Sequence, residues 1–194
     1  MAPVSSMRTL RCRIVVGLVL GAWGVGAGQV AAGELHGAAP TPALYERVLE
    51  WALHGDFERV ARAQAILASA AEELDQRYQV SVSHQLNDAM VSRRQAQLTA
   101  ALERMACLTI RRALEDAGAE VVRERMVPNI HDAYGMYLVL DETVRARDFE
   151  ASKTIRNAFR KAHATAGVMR QEFQDACEEI DHGLERYFHC LTNP

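Results

Sequence analysis

From Thr41 onward, apolar residues return every third, fourth or seventh position, the spacing of an amphipathic α-helix. The same stretch is rich in Ala, Leu, Arg, Glu and Gln, with few β-branched runs and few prolines, which favours helix throughout. The spacing therefore predicts an all-α fold, a helical bundle of about six helices. Thr41 followed by Pro42 makes a good first start, a capping hydroxyl and then proline in the opening turn. Leu44, Val48, Trp51 and Ala52 line that helix, and Gly55 ends it.

Asp56 opens the next helix, carrying Phe57, Val60, Leu67, Ala71, Leu74 and Tyr78 on one side. "QVSVSH" (79–84) breaks the pattern. A single long helix is expected from about Gln85 to Ala117, closed by Gly118. Its two apolar stripes are Leu98, Leu102, Met105 and Leu108, and Cys107, Ile110 and Leu114. Two stripes require neighbours on both sides, which makes this helix central. "VPN" (127–129) reads as a second break. Helices then follow from about His131 to Ala146, from Asp148 to Ala166, and from Met169 to Leu191. The last is expected to bury Phe173, Cys177, Ile180, Leu184, Tyr187 and Leu191.

The chain writes one helix start twice. With a shift of 92 residues, Tyr45 falls on Tyr137, Glu50 on Glu142, Asp56-Phe57-Glu58 on Asp148-Phe149-Glu150, and Leu67 on Phe159. "LERMACL" (102–108) then resembles "LERYFHCL" (184–191). Two related three-helix units, 41–117 and 131–191, are the expectation within a single domain spanning 41–194. Asp56 and Asp148 read as helix caps, Glu58 and Glu150 suit the positive helix end, and each Phe is expected to anchor its helix start in the core.

The first residues read as a secretory signal peptide, 1–32. Arg8, Arg11 and Arg13 form a positive region, Ile14–Gly28 an apolar one, and Val30-Ala31-Ala32 the small residues of a cleavage site. The apolar run is shorter than the roughly 20 residues of a membrane-spanning helix. Residues 33–40 read as a flexible leader. The expected location is therefore periplasmic or secreted, with no membrane span in the mature chain. Cleavage removes three arginines and no acid, leaving 19 basic residues against 25 acidic ones. That balance argues against a nucleic-acid partner.

Three cysteines follow the leader. Cys177 and Cys190 are thirteen residues apart, about 20 Å along one helix and beyond bridging distance. An internal disulfide would thus involve Cys107, with Cys190, its counterpart in the repeat, or with Cys177; no bridge is the remaining case.

Chemistry is thinly signalled. Glu178, His182, Glu185 and His189 fall on one helical stripe, a spacing that can hold a transition metal but also that of an ordinary solvated face. His163 follows Phe159 by one turn and is the best-placed single imidazole. His54 at a helix C-terminus and His131 at a helix start have structural explanations. Met105 and His189, near-equivalents in the two units, are a pair that b-type haem would use; no Cys-x-x-Cys-His exists for covalent haem. A di-iron centre needs two Glu-x-x-His motifs, and only Glu179–His182 has that form. No nucleophile elbow, zinc-protease helix or phosphate loop occurs. The readings are an exported non-catalytic protein that binds an envelope protein or itself, a metal-ion or haem carrier, and an enzyme whose site assembles only in the fold.

Overall fold

The computed structural model describes residues 40–191. The signal-peptide reading lies outside them, as does the leader except for Pro40, which is buried. Seven helices and no strand occur among the described residues: α1 (Pro42–Leu53), α2 (Phe57–Tyr78), α3 (Val82–Val91), α4 (Gln95–Ala119), α5 (Arg123–Arg147), α6 (Phe149–Thr165) and α7 (Arg170–Phe188). None is long and apolar enough to cross a membrane.

Local chemistry sets the helix starts. Thr41 Oγ1 accepts from the Leu44 amide, Asp56 from that of Arg59, and Asp148 from that of Ala151. Each satisfies one of the amides that a helix leaves unpaired. The two Asp-Phe-Glu segments differ at the aromatic residue. Phe57 is half-buried against the core, whereas Phe149 is 61% exposed. Phe149 is the first residue of α6, where its ring projects beyond the packed face, so it does not anchor that helix.

Three expected boundaries change. The long helix is divided: α3 closes at Val91, and Arg93 takes a left-handed φ of 49° before α4 begins. Helix α3 starts within "QVSVSH", because Asp75 on α2 accepts from the Val82 and Ser83 amides at 2.6 and 3.0 Å. A carboxylate from the preceding helix thus does the work of a cap, and Ser81 makes no capping bond. The "VPN" break is absent. Pro128 lies inside α5, in its second turn, where it forgoes the ladder bond to the Glu124 carbonyl and the helix continues through it. Finally, α7 stops at Phe188, and His189 turns left-handed with φ 47°. Phe188 is therefore buried while Leu191 is 39% exposed; Cys177 and Tyr187 sit half-buried at the edge of the core.

Helix α4 is the centre of the bundle, packed against α1, α3, α5 and α7. Both of its stripes are buried, including Leu98, Leu102, Met105, Cys107, Leu108, Ile110 and Leu114. Helices α5 and α6 form one packed pair, and α6 and α7 another. The second pair is close: a Cβ on Gly183 would stand 2.7 Å from Ile155 Cγ1. Cys107 on α4 and Cys190 after α7 form a disulfide. Beside it the buried Arg104 donates to the Cys190 carbonyl and to Gln85 Oε1, both at 2.9 Å, so the segment after α7 is held to α3 and α4.

Candidate functional site

The α5–α6 pair carries a buried polar lock. Asp141 on α5, 5% exposed, accepts from Tyr137 Oη at 2.7 Å and Ser152 Oγ at 2.7 Å. Arg156 of α6 donates to both of its oxygens, through Nε at 3.0 Å and through Nη2. Burial alone would push this carboxyl up; the hydrogen bonds from Arg156, Tyr137 and Ser152 outweigh it and hold the group below the usual range. Two helices joined this way keep a fixed register.

Next to the lock lies an open groove of about 460 Å³. The rings of Tyr134 and the buried Phe159 pack with centroids 5.3 Å apart and planes tilted by 58°, and Ile130 completes an apolar floor. His131 of α5 and His163 of α6 stand at its edge, stacked with centroids 5.2 Å apart and planes 5° from parallel. Arg160 closes the remaining side, oriented by a bond from Nη1 to Asn157 Oδ1 at 3.2 Å. No acidic residue lines this groove. It therefore offers aromatic and imidazole rings beside N–H donors and one fixed positive charge. That suits a planar ligand bearing an anionic group.

His163 was singled out by the sequence; His131 was not, although it completes the pair. The two are 32 residues apart, and only the register of α5 against α6 brings them together. The signal that could have paired them is that each lies one turn from an aromatic of the floor, His131 from Tyr134 and His163 from Phe159.

The other expected site residues do not converge. Glu178 and His182 are exposed, Glu185 accepts from the Leu191 amide at 3.1 Å, and His189 lies beyond the end of α7. The stripe needs a helix running to His189, and the left-handed turn there ends it. Among the described residues no three His, Cys, Asp or Glu side chains are grouped to hold a metal ion. Met105 is a fully buried core residue of α4, while His189 is exposed, so burial separates the haem pair. Cys177 is the free cysteine among the described residues, half-buried, its thiol pushed up to about 12 by burial and by the nearby acids Asp181 and Glu178. At neutral pH it stays a thiol and a poor nucleophile.

Compared with known proteins, the chain matches no family model, no curated protein and no solved structure.

Proposed function

We infer that this is an exported, periplasmic, non-catalytic binding protein whose α5–α6 groove takes a small planar molecule carrying an anionic group. One observation carries the reading: two imidazoles from different helices form a parallel pair at the edge of an aromatic groove whose only fixed charge is Arg160. Export is supported by the charge and hydropathy order of the first 32 residues and by the Cys107–Cys190 disulfide, a bond suited to an oxidising compartment. Duplication of a three-helix unit belongs to the same proposal. It would account for the paired aspartate caps and for the buried tyrosines Tyr45 and Tyr137 at equivalent positions.

The probe for the groove is 8-anilinonaphthalene-1-sulfonate, an aromatic anion with a flat naphthalene ring that becomes fluorescent in apolar surroundings. The folded protein is expected to bind it at one site. Arg160→Ala together with His163→Ala should weaken that binding about tenfold or more, a loss of about 1.4 kcal/mol, while helical content is kept. Equal affinity in wild type and variant would remove the groove from the account. Export is tested separately, by the mass of the mature protein from a periplasmic extract, which should begin near Gly33.

A further inference from the structure

The α5–α6 groove does not end at Arg160. The same side chain lines a second cleft, of about 170 Å³, farther along the seam between the two helices. Both helices supply its cations: Arg145 from the last turn of α5, and Lys153, Arg156 and Arg160 from α6. The α6 residues are spaced by three and then four positions, which sets them on one face, with Arg156 and Arg160 about 6 Å apart along the axis. Phe149, Ser152 and Asn157 complete the lining, and none of it is acidic. Such a gathering is unexpected in a chain that carries 19 basic residues against 25 acidic ones after its first 32 positions.

The four charges are only partly matched. Arg156 uses Nε and Nη2 on the buried, ionised Asp141, which leaves Nη1 free. Lys153 faces Glu150 at 3.5 Å in an exposed pair of little strength. Asp148 is engaged elsewhere, by the Ala151 amide and the Tyr187 hydroxyl. Arg160 bonds to Asn157, a neutral partner, and Arg145 has no ion pair among the described residues. With Asp141 and Glu150 both set against it, the cleft keeps a surplus of two positive charges.

That surplus selects among anions. A carboxylate or a sulfonate would leave one positive charge uncovered. A dicarboxylate spreads its charges over separate groups, whereas these cations surround one small space. A phosphomonoester carries close to two negative charges at neutral pH and three acceptor oxygens on one atom, which guanidinium forks and an ammonium can approach from both helices.

We propose that the basic cleft binds the phosphoryl group of an aromatic phosphomonoester whose ring lies in the adjoining groove, with Arg160 between the two parts. The inference rests on the groove reading and gives its anionic group an identity.

The test is calorimetry at about pH 7.5 with three ligands that share one ring: 2-naphthyl phosphate, 2-naphthyl sulfate and 2-naphthol. The phosphate is expected to bind at least about tenfold more tightly than the sulfate, and the sulfate more tightly than the naphthol. Arg145→Ala with Lys153→Ala removes two exposed side chains that belong neither to the groove nor to the Asp141 lock. This variant should bring 2-naphthyl phosphate down to the affinity of the sulfate, with helical content kept. Arg59→Ala with Arg62→Ala, which takes the same charge from α2, should leave the preference intact. Equal affinity for phosphate and sulfate, a preference that survives in the variant of Arg145 and Lys153, or one lost equally in the α2 variant would overturn the proposal. If 8-anilinonaphthalene-1-sulfonate still binds the groove in those cases, only the identity of the anionic group falls. No binding of any naphthyl ligand would overturn the proposal and the groove reading together.

Discussion

Asp141 is the residue whose removal should be felt most. It is buried, and it is held ionised by two hydroxyl donors and a guanidinium. Its folded pKa lies below the unfolded value of about 3.9. The sign follows: its contribution is fully present above about pH 4 and is lost as pH falls through the folded pKa. Asp141→Asn should cost about 2 to 3 kcal/mol at neutral pH, read as a lower urea midpoint. The gap between wild type and variant should narrow as pH is lowered past about 4. A gap that does not change with pH would mean that shape, not charge, is what Asp141 supplies. Residues of this kind show where sequence reading stops. Asp56 and Asp148 were legible because a cap bonds to amides three residues away. Asp141 was not, because Ser152 and Arg156 reach it from the next helix. Phe149 was misread for a related reason: period alone does not tell the buried edge of a first turn from its exposed edge.

At the scale of elements, apolar period located the helical stretches but merged α3 with α4, and the misplaced boundaries lay where backbone geometry or a remote side chain intervened. Arg93 takes φ 49° without being glycine, so nothing in its residue type announced the division of α3 from α4. Pro128 announced a break that did not occur: it gives up one ladder bond in the second turn of α5, and the helix runs on through it. The cap of α3 was hidden because Asp75 belongs to α2. The α6–α7 pair supplies a prediction of its own. A methyl at position 183 would collide with Ile155, whose β-branched side chain cannot swing Cγ1 away freely. Gly183→Ala should therefore destabilise by about 1 to 2 kcal/mol despite the better helix propensity of Ala. In an Ile155→Ala background the same change should cost nothing or stabilise, because the collision is gone. Additive costs in the double variant would place the strain elsewhere.

For the whole molecule, one covalent link and one fixed pair of helices matter most. Cys107 and Cys190 close a loop with a sequence separation of 83, and a loop of that size restricts the unfolded chain by about 4 kcal/mol. Reduction, or Cys107→Ala with Cys190→Ala, should lower Tm by about 10 °C. An unchanged Tm would mean that Arg104 and the core hold the last segment without the bond. The fold class was readable from the sequence because burial in helices leaves a period. The groove was not, because its two imidazoles meet only through the packing of α5 on α6. Ligand binding in that groove is the central claim about this protein, and backbone amide NMR during titration with 8-anilinonaphthalene-1-sulfonate tests it most directly. Saturable shifts centred on His131, Tyr134, Phe159, Arg160 and His163 are the predicted result. Shifts centred on another part of the bundle, or none at a saturating concentration, would contradict it.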